Sequence, residues 1–150
     1  MQNETIKFKG HLDIVLKDEN GNLKDQRNID NTMTLAGKYG IADQLTATPN
    51  LTPNNGAKPG WMAIGTGTPG ATLLGTELDR NALTSKTDTN GVVTMVGDWA
   101  AGDGTGTITE AGIFDVVTAN TANMWSSASF SAITKGASDT LSISWTWTIS

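Results

Sequence analysis

An all-β fold is what the sequence predicts: an antiparallel sandwich or jelly-roll-like domain with an N-terminal hairpin and one short helix. Three observations carry that prediction. First, the C-terminal ten residues alternate without exception, Leu141, Ile143, Trp145, Trp147 and Ile149 against Ser142, Ser144, Thr146, Thr148 and Ser150. Period two with a single apolar face marks a strand half-buried in an antiparallel sheet. Second, Asn-Gly pairs at 20–21 and 90–91 stand between extended segments, which is the strongest short-range hairpin signal. Third, Thr, Gly, Asn and Ser dominate a chain of 150 residues in which only 17% are charged. That composition suits short strands and many turns.

The elements follow in order. Residues 1–30 read as a hairpin or arm, with Ile6, Phe8, Leu12, Ile14 and Leu16 alternating against polar neighbours and a type I′ turn at Asn20-Gly21. The charged return strand, 23–29, suits an exposed edge. Residues 31–150 form one β-rich domain. Within it, 31–46 is the helix candidate, because Leu35, Tyr39, Ala42 and Leu45 make one stripe and Asn31 or Thr32 can cap its start. Gly37 and Gly40 weaken that helix. Residues 47–60 hold three of the four prolines and read as a loop. Strands are expected at 61–64, 83–86, 92–100, 107–114, 124–133 and 141–150. A helical turn or the start of a strand is expected within 72–82.

Several functions are excluded or disfavoured by composition. With no cysteine there is no disulfide, no thiolate-bound zinc and no thiol catalysis. One histidine, His11, permits no two-histidine metal site within a chain. The net charge of -5 and scattered lysines and arginines disfavour a nucleic-acid partner. No apolar run reaches the ~20 residues that span a bilayer, and residues 1–17 lack the order of a signal peptide. The expectation is a soluble, unprocessed protein with no cofactor and no metal.

Four patterns suggest chemistry. Gly65-Thr-Gly-Thr-Pro-Gly70 matches G-x-G-x-x-G, but the helix and βαβ context of a dinucleotide site are missing, so a turn is the better reading. Glu77 with Asp79, and Glu110 with Asp115, are carboxylate pairs of the kind a glycosidase uses; turn hydrogen bonds and ion pairs to Arg80 or Lys135 are the simpler use. His11 sits on a polar strand face without a nucleophile elbow nearby. Asp98 and Asp103 lie among glycines without an EF-hand pattern. Trp145 and Trp147 belong to the apolar face of the last strand, whereas Trp61, Trp99 and Trp125 are free to serve as core, interface or sugar platform.

Several phrases read in order resemble one family: Thr32-Met-Thr-Leu-Ala-Gly-Lys-Tyr-Gly-Ile-Ala-Asp-Gln-Leu45, Met62-Ala-Ile-Gly-Thr-Gly-Thr68, Leu74-Gly-Thr-Glu-Leu-Asp-Arg80, Gly106-Thr-Ile-Thr-Glu-Ala-Gly-Ile-Phe-Asp115 and Lys135-Gly-Ala-Ser-Asp-Thr-Leu-Ser-Ile-Ser-Trp145. The chain resembles small virion structural proteins of tailed bacteriophages, of the capsid decoration or cement type. It is also similar to the amino-terminal attachment domain of phage tail-collar fibres, where an E-x-G-I/L-F-D phrase closes a β-rich module. Such fibres continue into a long shaft; the sequence stops at Ser150, so a self-contained module is expected. The resemblance implies a non-enzymatic virion protein assembled in the host cytoplasm, bound to the major capsid protein or other virion proteins and forming a homotrimer. A collar, neck, baseplate or fibre-attachment adaptor is the alternative, and a carbohydrate-binding module a further one. Capsid or oligomer contacts are expected at Ile6, Phe8, Leu12, Asn20, Gly21, Arg27, Trp61 and Trp125.

Overall fold

Alternating apolar residues fold the chain into two packed sheets. Residues 4–45, 57–121 and 123–150 are described by the structure, a computed structural model. The strands are β1 (Phe8–Lys17), β2 (Leu23–Asp30), β3 (Thr32–Met33), β4 (Trp61–Gly65), β5 (Glu77–Ala82), β6 (Ser85–Thr89), β7 (Val92–Trp99), β8 (Gly106–Phe114), β9 (Met124–Lys135) and β10 (Thr140–Ile149); one helix, α1, spans Leu35–Asp43. One sheet has the order β2-β1-β10-β7-β6 and the other β3-β9-β8-β4-β5. Every pairing in both is antiparallel. The expected all-β sandwich is therefore the observed one.

The core lies between the sheets, and the C-terminal strand runs through its middle. Leu12 stands opposite Trp145, Ile14 opposite Ile143 and Leu16 opposite Leu141, so the apolar faces of β1 and β10 coincide. Met95 and Trp99 of β7 extend that face; Met62, Ile64, Ile108, Ile113, Trp125 and Ile133 meet it from the other sheet. Each fully buried Leu or Ile here contributes about 1.5–3 kcal/mol relative to exposure. Trp125 and Trp147 stack across the interface with ring centroids 6.4 Å apart and planes 14° apart. Among the described residues the indole N–H groups of Trp99, Trp145 and Trp147 find no acceptor, so their large apolar area outweighs a polar penalty.

Three sequence expectations need correction. Residues 8–30 form the expected hairpin, but not as a separable arm: β1 lies between β2 and β10 and supplies Leu12, Ile14 and Leu16 to the core. The first hairpin turn is not type I′. Only Gly21 has positive φ there (80°), and the Asp18 carboxylate orders the loop by accepting the Asn20 and Asn22 N–H groups, each at 2.9 Å. The second turn has both signs positive, Asn90 at 52° and Gly91 at 78°, as a type I′ turn requires.

The third correction is the helix. It starts later than expected, with Thr34 as its cap: Thr34 Oγ1 accepts the Gly37 N–H at 3.0 Å. Its face is also inverted. Leu35 and Tyr39 are more than half exposed and Leu45 nearly fully so, while Gly37, Gly40 and Asp43 are buried. A Cβ on Gly40 would stand 2.3 Å from the Trp125 ring, and one on Gly37 2.1 Å from the Trp125 carbonyl. The helix backbone thus lies directly on Trp125, and only glycine permits that approach. Within 72–82 the strand alternative is the one observed: β5 starts at Glu77, with no helical turn before it. Most of the expected loop at 47–60 lies outside the described residues.

Candidate functional site

The most polar structure in the interior is built on β8. Glu110 is fully buried in an otherwise apolar stretch. Its Oε1 accepts the N–H groups of Gly67 at 2.9 Å and Thr76 at 2.8 Å, and its Oε2 accepts that of Gly75 at 2.9 Å. Thr109 Oγ1 donates to the Gly67 carbonyl at 2.7 Å. Two glycines of the G-x-G-x-x-G match, Gly65 and Gly67, and the nearby Gly75 are explained here; a Cβ on Gly67 would stand 2.8 Å from the Thr76 nitrogen. A Cβ on Gly65 would come within 2.4 Å of Glu110 Oε1, and one on Gly75 within 2.3 Å of the Thr68 carbonyl. The loop between β4 and β5 converges three backbone N–H donors on one point, as a site that holds an anion does. In this protein the anion it holds is the chain's own carboxylate.

A second clasp lies on β5. A bulge opposite Ile64 and Gly65 pairs Glu77 with Gly65 and Asp79 with Ile64. Paired residues share a face, so the bulge sends Glu77 and Asp79 to opposite faces and brings Glu77 beside Arg80. Arg80 Nε and Nη2 donate to the two Glu77 oxygens at 2.8 and 2.7 Å, with both side chains buried. Arg80 Nη1 donates to the Val116 carbonyl at 2.8 Å, and the guanidinium lies 3.7 Å above the Phe114 ring. The ion pair to Arg80 expected from sequence is present.

The remaining candidates are also committed to structure. Asp115 Oδ2 accepts the Trp125 indole N–H at 2.9 Å. Lys135 is buried and donates to the Ala100 carbonyl at 2.9 Å. Burial pushes its ammonium below the usual lysine value, and Asp139, Asp103 and Asp79 pull it back. Asp139 is held below the usual carboxylate range, first by the Lys24 ammonium at 2.6 Å and then by the Gly136 N–H. His11 faces Asp13 at 3.5 Å on the exposed surface. Asp98 and Asp103 are exposed, and no group of three metal-ligating side chains converges among the described residues. Glu110 and Asp115 therefore act in separate places, one on a loop and one on an indole.

The expected contact residues divide into three groups. Ile6, Asn20 and Gly21 are exposed. Phe8 and Trp61 are half-buried, Phe8 lining an apolar cavity of about 590 Å³ with Met95, Trp125 and Trp147. Arg27 is also half-buried; it chelates Asp25 at 2.8 and 2.9 Å and donates to Ser131 Oγ at 2.7 Å. Leu12 and Trp125 are corrections, because both are buried in the core and offer no surface to a partner. Trp99 is likewise enclosed, so neither Trp99 nor Trp125 is a sugar platform. Sequence reasoning missed the Glu110 clip. Its only local signal is a glutamate in an apolar strand. Comparison with known proteins finds no matching family, no matching curated protein and no matching solved structure.

Proposed function

We propose that this chain is a non-enzymatic structural protein of a tailed-bacteriophage virion, a decoration or cement protein that binds the head shell. The observation that carries the reading is the use made of the phrase Glu110-Ala-Gly-Ile-Phe-Asp115. Its two carboxylates hold a loop and a core tryptophan, and its Phe114 carries the Arg80 clasp. The residues that give the family resemblance are thus folding devices, which supports a scaffold module rather than a reaction centre. The same phrase supports a collar or fibre-attachment adaptor, and the two readings differ in where the chain binds.

A stable sandwich with ordered surface turns suits a lattice position, where one subunit fits many equivalent places. The partner is the major capsid protein. The test is co-sedimentation of the purified chain with empty heads and, separately, with isolated tails. Saturable binding to heads at a stoichiometry tied to the shell lattice supports decoration. Binding to tails alone supports the adaptor. Binding to neither contradicts both.

A further inference from the structure

The outermost strand β2 carries a charge pattern that is complementary to itself. Asp25, Gln26 and Arg27 follow one another, and the flanks are Lys24 and Asn28. In an antiparallel pair of two β2 strands centred on Gln26, Asp25 of each copy stands opposite Arg27 of the other. A shift of two residues one way sets Arg27 against Arg27, and the other way Asp25 against Asp25. Like charges directly opposite destabilise a strand pair, so one register is favoured over its neighbours.

The backbone supports that register. The Asn31 N–H donates to the Gly10 carbonyl at 3.1 Å, beside the pair His11 and Asp30. This makes His11–Asp30 a non-hydrogen-bonded pair, so the backbone groups of Asp30 point away from β1. By alternation those of Asn28 and Gln26 do the same, and β2 ends its sheet. Gln26 at the twofold centre therefore presents both its N–H and its C=O to the open edge. The geometry points to a homodimer: two copies of this chain pair β2 with β2 antiparallel, with Gln26 exchanging backbone bonds across the twofold and Asp25 facing the second copy's Arg27.

This contact is twofold, so it builds a dimer rather than the trimer expected from sequence, and it stands independently of the virion proposal. The opposite edge, β6, has a similar alternation in Lys86, Thr87 and Asp88, but it is five residues long against eight for β2. Its Lys86 ammonium is also drawn to the Pro59 carbonyl at 2.6 Å. A single strand pair is smaller than a standard interface, so association belongs in the range up to about 1 mM.

Sedimentation equilibrium of the full chain tests the proposal. The wild type should approach twice the 15.7 kDa chain mass as concentration rises. Gln26→Pro removes only an outward N–H, which an edge strand tolerates, and should remain folded by circular dichroism yet stay at one chain mass. Arg27→Asp and Asp25→Arg should each fail to self-associate, and their mixture should recover the dimer. An intrachain role for Asp25 and Arg27 does not produce that recovery. Three results would overturn the proposal: a wild type that stays monomeric throughout, one that forms trimers, or a dimer lost in Lys86→Pro and kept in Gln26→Pro.

Discussion

Removing the Glu110 carboxylate should loosen one loop and weaken the whole sandwich. In Glu110→Gln, the amide oxygen can take the place of Oε1 and keep the Gly67 and Thr76 donors. The amide nitrogen then faces the Gly75 N–H, donor against donor. One unsatisfied donor costs about 1–3 kcal/mol, and changing charge-assisted bonds to neutral ones adds about 1 kcal/mol. The expected loss is about 2–4 kcal/mol. Glu110→Ala orphans all the donors that the carboxylate serves. Because that loop is only partly buried, water can reach them, and the expected loss is about 3–6 kcal/mol. Against a total stability of about 5–15 kcal/mol, either change is large. Urea unfolding followed by tryptophan fluorescence reads the global effect, and amide hydrogen exchange at Gly67, Gly75 and Thr76 reads the local one. If both variants unfold within about 0.5 kcal/mol of wild type and those amides keep their protection, the clip does not hold the loop.

Four further expectations follow from the same structure. Gly40→Ala should lower the melting temperature by about 2–8 °C, because its Cβ meets the Trp125 ring at 2.3 Å and overpacking outweighs the better helix propensity. Leu35→Ser and Tyr39→Ser, on the exposed face, should stay within about 0.5 kcal/mol of wild type in the same melts. Asp18, Asp25 and Asp139 are all held below the usual carboxylate value of 3.8 in the folded state, by the Asn22 N–H, by Arg27 and by Lys24 respectively. Their contribution is therefore complete above 3.8 and lost as pH falls through the lower folded values. Urea midpoints measured from pH 7 down to about pH 2 should drop in acid, with a shallower drop in Asp139→Asn. Deleting residues 1–30 should abolish the cooperative unfolding transition and the native circular dichroism spectrum, because β1 sits beside β10 in the middle of its sheet.

The parts of the fold that were legible in sequence are those where large apolar side chains face the core. The C-terminal strand is the clearest: every second residue from Leu141 to Trp147 is buried as its alternation requires. The edge position of β2 was legible from its charge. The helix was read on the wrong face, because periodicity assumes that the largest apolar residues make the contact. At α1 the smallest residues make it, Gly37 and Gly40 against Trp125, and Leu35 and Tyr39 are left outside. The clip was illegible for another reason. Glu110 and its donors lie 34 to 43 residues apart, and no local spacing joins a buried carboxylate to a glycine loop at that distance. The Glu77–Arg80 pair was expected from sequence, but the bulge that brings the two side chains to one face shows only in the pairing register.

Copy number per particle is the sharpest test of the proposed virion role. Phage particles would be purified from the source of this chain, the chain quantified by mass spectrometry against the major capsid protein, and its position marked by gold labelling. The account predicts hundreds of copies distributed over the head, since only the shell offers that many equivalent sites. A dozen or so copies confined to one vertex would replace decoration by the adaptor role, and absence of the chain from purified particles would contradict the account outright.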